Sequence, residues 1–307
     1  MKRRAASRSA RTTVRLSIAG VLMVAVAAAL VAACGGSGGG SSPTPAVTVT
    51  VTETPSTSPS PTTASTATPS STTTLSLYFL RGEELGVAER RVPSTTRPAT
   101  AATEALLAGP TADETAAGLT SAVPRGTRLL GLSIDGTTAR VDLSAQFAAG
   151  GGSLSMQARV AQVVYTLTQF RTVQSVTFLL EGSALDALGG EGLMLGASQR
   201  RSDWRGFEPA IFVERPGVGA VLTSPFVLSG TASVFEGAFS ARLVGGGSRL
   251  VDVPVQASRG APGRGRFRES LPFATTSSSG TLIVFDQSMA DGSRLDEVRI
   301  PVMFAPQ

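Results

Sequence analysis

The chain has 307 residues, with 27 lysines and arginines against 22 aspartates and glutamates, and a formal charge of +5. It contains no histidine, the commonest general base and metal ligand, and only one cysteine, so Ser/His/Asp and Cys/His catalytic systems and internal disulfides are excluded. Six basic and no acidic residues lie in the first fifteen positions; the rest carries 21 basic and 22 acidic side chains, without the excess typical of nucleic-acid binders.

Residues 1–33 have the order of charge and hydropathy that is typical of a signal peptide. The basic stretch is followed by eighteen uncharged residues, 16–33, a length that also approaches that of a signal anchor. The small residues at its end favour cleavage, because Val31, Ala32, Ala33 and Cys34 together resemble the lipobox of bacterial lipoproteins. The resemblance implies that signal peptidase II cuts before Cys34 and that the Cys34 thiol carries a diacylglycerol.

This lipid would place the protein on the extracytoplasmic face of the cell membrane, since two acyl chains such as palmitate give stable anchoring. Residues 34–74 then consist almost wholly of Gly, Ser, Thr, Pro, Ala and Val, with Glu53 as the only charge. Such a composition cannot bury enough apolar surface to fold. We therefore expect a disordered tether that spans roughly 35 Å as a flexible coil.

Residues 75–200 have the pattern of an α+β domain with the element order ββαββαβ. We predict strands at 75–80, 90–98, 127–134, 139–144 and 173–180, and helices at 99–108 and from Ser153 onwards. Thr96 is the expected N-cap of the first helix and Gly109-Pro110 its end, and Ser153 is the expected N-cap of the second helix. The second helix is predicted to have an apolar face and an opposite polar side. The apolar residues are Met156, Val160, Val163, Val164 and Leu167; the polar ones are Arg159, Gln162, Thr166 and Gln169.

Residues 210–307 follow a predicted linker at 201–209 and have the short, regularly spaced strands of an all-β sandwich. Gly, Ser and Pro turns separate seven candidate strands, at 210–214, 225–234, 238–244, 249–257, 265–273, 281–287 and 297–304. Seven strands in this length suit an immunoglobulin-like sandwich, here without a cysteine for an intersheet bridge.

Several segments of the first domain resemble the sporulation and spore germination (GerMN) domain. They are Leu77-Tyr-Phe-Leu80, Leu106-Leu-Ala-Gly-Pro110, Ala122-Val-Pro-Arg-Gly-Thr127, Val141-Asp-Leu-Ser144 and Val164-Tyr-Thr-Leu-Thr-Gln169. The second domain is similar to the immunoglobulin-like domain of bacterial spore germination, through Pro216-Gly217, Ser224-Pro225, Ser229-Gly-Thr-Ala232, Phe235-Glu236, Asp291-Gly292 and Ile300-Pro-Val302. The first resemblance implies a non-enzymatic module related in topology to ring-building modules of bacterial envelopes.

Acidic residues supply the remaining options for chemistry. Asp135 and Asp142 flank one hairpin, so a glycosidase-like carboxylate pair is conceivable, although turn formation and loop capping are the simpler roles. Asp286, Asp291, Asp296 and Glu297 could gather around a hard cation, but they lack the spacing of an EF-hand.

Two glycine- or arginine-rich stretches could bind phosphate. Gly150-Gly-Gly152 precedes a helix but lacks a lysine and a fingerprint spacing, which favours a flexible lead-in. Arg264-Gly-Arg266-Phe-Arg268 is more simply a solvated strand and turn than a phosphate site. Trp204 and Phe207 could anchor a partner or plug the junction between the domains.

The sequence therefore predicts a lipoprotein without catalysis, cofactor or bound metal. We expect it to act as a binding or assembly scaffold in the cell envelope, held at the membrane by Cys34 and contacting an envelope protein or further copies of itself, but not nucleic acid. Two alternatives stay open: a solute- or glycan-binding lipoprotein, which needs a deep pocket with convergent polar groups, and a carboxylate-based hydrolase.

Overall fold

A computed structural model describes residues 71–189 and 192–306, all of which belong to one compact unit. The signal peptide, the lipobox and all but the last four residues of the predicted tether lie outside the described residues. None of the helices in the described part of the chain combines the length and apolar character that a transmembrane segment needs.

Residues 71–189 and 192–200 contain three α-helices, one 3₁₀ helix and eight strands. In chain order they are β1 Thr72–Arg81, β2 Glu84–Pro93, α1 Pro98–Leu107, α2 Ala112–Ala116, β3 Leu129–Asp135, β4 Thr138–Leu143, η1 Ala145–Ala148, α3 Ser153–Leu167, β5 Ser175–Leu180, β6 Ser183–Ala184, β7 Ala187–Leu188 and β8 Leu193–Met194. Strands β1 and β2 form a separate hairpin, while β3, β4, β5 and β6 form one sheet in that order. Helix α3 connects the parallel pair β4 and β5.

The observed elements agree with the predicted α+β fold but add to it. Helix α2 was not predicted; it begins at Thr111, whose side chain forms a capping box with Glu114. Strand β1 begins at Thr72, three residues before the predicted start, because it stays paired with β2 as far as Pro93. The N-caps of α1 and α3 are Arg97 and Gly152 instead of Thr96 and Ser153.

Helix α3 is buried on nearly all sides, which corrects the predicted polar face. Arg159, Gln162 and Thr166 are as buried as the apolar residues, because the polar stripe faces strand β1 and the loops around it. The outer edge of β1 has no neighbouring strand along most of its length, so its backbone groups need partners from elsewhere. Side chains of α3 and of Gln169, which follows just after the helix, provide these partners.

Hydrogen bonds from this stripe to β1 repeat at every second strand residue. The Gln169 side chain accepts from Ser76 N at 2.8 Å and donates to Ser76 O at 2.7 Å. Thr166 Oγ1 accepts from Tyr78 N at 3.2 Å, and Gln162 Nε2 donates to Tyr78 O at 3.2 Å. Side chains that recur about every 3.6 residues on one face of the helix thus lie beside backbone groups that recur every two residues along the strand edge.

The C-terminal half is a two-sheet sandwich preceded by a 3₁₀ helix. Its elements are η2 Arg201–Phe207, β9 Ile211–Arg215, β10 Val221–Leu222, β11 Phe226–Ala232, η3 Phe235–Gly237, β12 Ala238–Gly245, β13 Ser248–Gln256, β14 Gly265–Leu271, β15 Ser279–Gln287 and β16 Arg294–Phe304. Five strands pair in the order β10-β16-β15-β12-β13 and three in the order β14-β11-β9. All seven predicted strands are present, and β10 is additional.

Apolar packing holds the two sheets together where an immunoglobulin domain often has a disulfide. Phe239 of the five-stranded sheet meets Phe267 of the three-stranded sheet edge to face, with ring centroids 4.9 Å apart. Phe273 contacts both Phe226 and Phe304 through its ring. Edge-to-face aromatic pairs add to the stability that burial itself gives.

A single apolar core runs through both halves of the described chain. Backbone hydrogen bonds also join them, from Val218 N to Val87 O and from Glu89 N to Val218 O, each at 2.8 Å. Gly217 is needed at this contact, because a Cβ there would lie 2.9 Å from Val87 O. The positions predicted as a linker, 201–209, begin with helix η2, which packs on α3.

Candidate functional site

The predicted lipid-attachment site lies outside the described residues. Cys34 and the lipobox residues Val31, Ala32 and Ala33 all precede residue 71, where the description begins. Their role therefore stays a prediction from the sequence.

Trp204 and Phe207, the predicted partner anchor, are both buried in η2. Trp204 is 8% exposed and Phe207 7%, and their ring centroids are 6.4 Å apart. A partner anchor has to reach the surface, so this placement suits the alternative role of an internal plug better.

The carboxylate pair imagined at the β3–β4 hairpin does not form. Asp142 pairs with Gly131 in the ladder, and Asp135 lies four positions further along β3, which corresponds to about 13 Å. Asp142 Oδ1 instead accepts a hydrogen bond from Gly182 N at 3.0 Å. The hydrolase alternative that used this pair is therefore wrong.

The acidic residues around β15 and β16 form hydrogen bonds within the local turn and ion pairs with arginines. Asp291 Oδ1 accepts from the backbone and hydroxyl of Ser293, at 3.0 and 2.8 Å, and Glu297 pairs with Arg294 and Arg299. No group of three His, Cys, Asp or Glu side chains within residues 71–189 and 192–306 is placed to hold a metal ion.

The segment that leads into α3, including the first of its three glycines, presents carbonyl groups to an arginine. Arg159, 1% exposed, donates to Phe147 O at 2.6 Å, to Ala149 O at 3.1 Å and to Gly150 O at 2.9 Å. Gly151 has a φ of +86°, and a Cβ there would lie 2.6 Å from an Arg159 nitrogen. The buried Arg159 guanidinium thus fixes this loop. This arrangement argues against a phosphate-binding loop.

An ion pair and two tyrosines connect the halves where η2 and β9 meet β1 and α3. Arg201 forms an ion pair with Glu214 and donates to Tyr78 Oη at 3.0 Å, and Tyr78 Oη donates to Glu214 at 2.7 Å. The Arg201 guanidinium also lies over the rings of Tyr78 and Tyr165, 5.0 and 4.7 Å from their centroids. Phe212 packs against both rings.

A second ion pair continues this network. Tyr165 Oη donates to Glu208 at 2.6 Å, and Glu208 pairs with Arg264 at 3.0 Å. Arg264 also donates to Pro209 O at 2.9 Å and to Thr231 Oγ1 at 3.2 Å. The charges of Arg201 and Arg264 are therefore each neutralised by a neighbouring glutamate.

Both tyrosine hydroxyls of this network donate hydrogen bonds to glutamates. Burial raises the pKa of Tyr78 far above its ordinary value, and the nearby charge of Glu214 adds to the rise. Burial and the hydrogen bond to Glu208 raise the pKa of Tyr165 in the same direction. Both hydroxyls consequently stay protonated at any physiological pH.

A cleft of about 570 Å³ opens beside this network on the outer face of the three-stranded sheet. Five arginines and two glutamates line it, a formal excess of three positive charges; they are Arg201, Arg205, Arg264, Arg266, Arg268, Glu208 and Glu214. Strand β14 exposes Arg266 and Arg268 and buries Phe267 between them, as its alternation requires. Arg205 approaches the cleft from η2.

Sequence reasoning identified the arginines of β14 but not what surrounds them. The interpretation as solvated strand positions fits their exposure, yet Arg205 and the cleft wall come from segments that are distant in sequence. Tyr78, Tyr165 and Glu214 carried no signal of a shared network, because only the packing of the two halves brings them together. The arginine-rich cleft is the strongest candidate binding site that the described residues form.

Known protein families match both halves of the chain. Residues 76–186 match the family described as sporulation and spore germination, and residues 210–293 match the immunoglobulin-like domain of bacterial spore germination. The chain is thus similar to a GerMN domain over its first folded part and to an immunoglobulin-like domain over its second. No curated protein matches it significantly.

Two solved structures with similarity to the chain come from Bacillus subtilis. The tandem GerMN domains of the sporulation protein GerM are 22% identical over 60% of this chain and 60% of that chain, with a TM-score of 0.39. The first GerMN domain of the same protein is 24% identical over 43% of this chain and 99% of that chain, with a TM-score of 0.37. The chain spans less than two thirds of the tandem structure.

Proposed function

We propose that this pair of germination-type domains is a lipid-anchored, non-catalytic scaffold on the extracytoplasmic face of the cell membrane. Cys34 would hold the protein at the bilayer, the tract up to residue 70 would set its reach, and the folded unit would contact other envelope components. The order of basic residues, apolar run, small residues and cysteine in the N-terminal segment supports the anchor.

The observation that carries the non-catalytic role is the use of the partly buried charged groups at the junction. Arg201, Glu214, Arg264 and Glu208 form two ion pairs whose remaining contacts go to neighbouring side chains and backbone. These groups stabilise one arrangement of the two domains instead of meeting a substrate. A rigid arrangement suits a protein that has to present two surfaces at a fixed geometry.

The anchor is tested by mass spectrometry of the mature N-terminus. We expect the chain to begin at Cys34, to carry a diacylglycerol thioether and to incorporate an alkynyl fatty acid in cells. Cys34→Ser should abolish this labelling. A chain that keeps residues 1–33 and no lipid would instead establish a signal anchor and overturn this part of the proposal.

The scaffold role is tested by photo-crosslinking in living cells. A photoreactive residue is scanned across exposed positions of both domains, and the captured proteins are identified with wild type and with Cys34→Ala. We expect one face to capture a defined envelope protein, or a further copy of the chain, only when the anchor is present. Equal capture with and without the anchor would contradict a membrane-tethered scaffold.

A further inference from the structure

Three arginines in the cleft beside the junction have no counter-charge in the described part of the chain. Arg201 and Arg264 are neutralised by Glu214 and Glu208, whereas Arg205, Arg266 and Arg268 form no ion pair with any residue in 71–189 or 192–306. All three are exposed. The cleft therefore gathers positive charge in a chain whose basic and acidic residues beyond position 15 nearly balance.

We propose that this cleft binds a linear phosphodiester polymer of the cell envelope. Arg266 and Arg268 lie two residues apart on the same face of β14, which separates them by about 7 Å along the strand. Such a row matches successive charges along an extended polyanion better than one compact anion. Arg205 faces the same cleft from η2 and would contact the polymer from a second element.

The donor set of the cleft suits phosphate. Beside the three guanidinium groups lies the Ser229 hydroxyl, on the strand next to β14. Phosphate oxygens commonly accept hydrogen bonds from arginine and serine together. Guanidinium groups in addition stay charged at every physiological pH, so binding would persist across that range.

The absence of an accessible apolar anchor argues against a protein or a single-stranded nucleic acid in this cleft. Phe267 is the only aromatic residue among those that line it within the described chain, and it is 4% exposed. Protein interfaces concentrate their energy in buried apolar and aromatic contacts. Single-stranded nucleic acids need exposed rings on which the bases stack. A polymer without bases needs neither.

This inference deepens the proposed function by naming a ligand class, and it rests on that function only for the location in the envelope. Binding in solution and anchoring in cells are tested separately, since the arginines of the cleft and Cys34 are replaced in different variants. Loss of lipid on Cys34 with intact polymer binding would refute the anchor alone. The reverse result would refute the ligand alone.

The test titrates the purified full chain, in non-ionic detergent, with a short poly(glycerol phosphate) oligomer by calorimetry. Three charged contacts predict a fall in affinity of about 15- to 20-fold between 50 and 200 mM salt. Arg266→Gln/Arg268→Gln should weaken binding by at least about tenfold at the lower salt concentration and reduce the salt effect to about threefold. Arg205→Gln should weaken binding by a smaller factor.

A charge-matched control removes two exposed arginines elsewhere. Arg140 and Arg171 form no ion pair with described residues and lie outside the cleft. Arg140→Gln/Arg171→Gln should keep the wild-type affinity, and unchanged melting temperatures would show that both double variants fold. Equal weakening by the two double variants would reveal unspecific attraction and overturn the proposal, as would no binding at all.

Competing ligands distinguish the remaining outcomes. We expect inorganic phosphate, an acidic peptide and a neutral glycan each to bind the full chain more weakly than the oligomer. Inorganic phosphate that binds as tightly would make the cleft a site for a compact anion. Tighter binding of poly-glutamate would indicate a protein partner, and tighter binding of the neutral glycan a sugar site; each of these results would overturn the proposal.

Discussion

Arg159 determines the conformation of the chain before helix α3. Its guanidinium has no carboxylate partner among the described residues and donates instead to carbonyl groups of residues 147–150. Burial lowers the pKa of this side chain, but an arginine stays protonated at neutral pH. A planar group with several donors can satisfy such a ring of carbonyls, whereas lysine cannot.

We expect Arg159→Met to lower the free energy of unfolding by about 3 kcal/mol, because it leaves buried carbonyl groups without donors. Arg159→Lys should cost less, since one ammonium group can replace part of the contacts. Urea unfolding followed by circular dichroism measures both. Arg171→Met, at an exposed position, should have little effect; an equally small loss for Arg159→Met would contradict the role assigned to the buried guanidinium.

Glu89 responds to pH in a direction that its surroundings determine. Burial raises its pKa above the ordinary value, although the hydrogen bond from Gly217 N and the charges of Arg215 and Arg91 act in the opposite direction. The native state therefore binds a proton more readily than the unfolded chain. The resulting stability is fully present below the unfolded pKa of about 4.3 and is lost as the pH rises through the native value.

Glu89→Gln should accordingly raise the melting temperature at pH 7 and lose this advantage as the pH approaches 4. The glutamine amide oxygen can still accept from Gly217 N, so the geometry of the contact is preserved. Melting curves recorded between pH 4 and 8 measure the difference. Glu83→Gln, in the exposed β1–β2 turn, is the matched control; a lower melting temperature of Glu89→Gln at pH 7 would refute this account.

At the scale of elements, helix α3 substitutes for a missing strand. Gln162, Thr166 and Gln169 satisfy the outer edge of β1 over two residues, and Leu80 completes the edge through a two-way backbone bridge to Thr120. An exposed strand edge invites unwanted pairing with other chains. Covering it with a polar helix stripe both removes this edge and fixes the register between helix and hairpin.

Thr166→Val should destabilise the protein by about 1–3 kcal/mol, because it keeps the shape of the side chain and leaves Tyr78 N–H buried without a partner. Thr103→Val is the control: Thr103 is also buried on a helix, but its hydroxyl bonds only Ala99 O of its own helix. We expect the control to lose less than about 1 kcal/mol. Equal losses in denaturant titrations would show that the cap on β1 contributes nothing.

At the scale of the whole molecule, the two matched domains fold as one unit. Their apolar cores are continuous, β2 hydrogen-bonds to the loop at Val218, and Arg201 connects β9 to β1 and α3. Trp204, the only tryptophan of the chain, lies in η2 at this junction. Its fluorescence therefore reports on the junction, while far-UV circular dichroism reports on all strands and helices.

We expect both signals to give one coincident unfolding transition in wild type. Arg201→Gln and Glu214→Gln should each destabilise the protein, and the double variant should lose less than the two single losses combined, with a coupling energy of about 1–2 kcal/mol. The surface pair Arg249 and Asp252, in which the arginine side chain is 60% exposed, offers a control cycle with coupling below about 1 kcal/mol. Separate transitions in wild type, or no coupling at the junction, would contradict a fused unit.

The class of each domain and most strand positions are predictable from the amino-acid sequence alone. Alternating burial in β11, β12 and β14 follows directly from alternating apolar residues, and turn residues mark the ends of these strands. Short segments in each domain, such as Leu106–Pro110 in the first, were enough to suggest both domain families. The family comparisons then matched both. Local patterns of this kind depend on residues close in the chain, so they can be recognised without a structure.

The contacts that the polar residues make are apparent only in the tertiary structure. The stripe on α3 looked like a solvent face because hydropathy does not reveal a nearby strand edge with unpaired backbone groups. Residues 201–209 looked like a linker because the ion-pair partners of Arg201 and Glu208, which are Glu214 and Arg264, lie elsewhere in the sequence. The arginine cleft likewise combines η2 with β14, some sixty residues apart in sequence. Hydrogen bonds and ion pairs between distant segments form only when those segments pack together, so a local sequence pattern does not predict them.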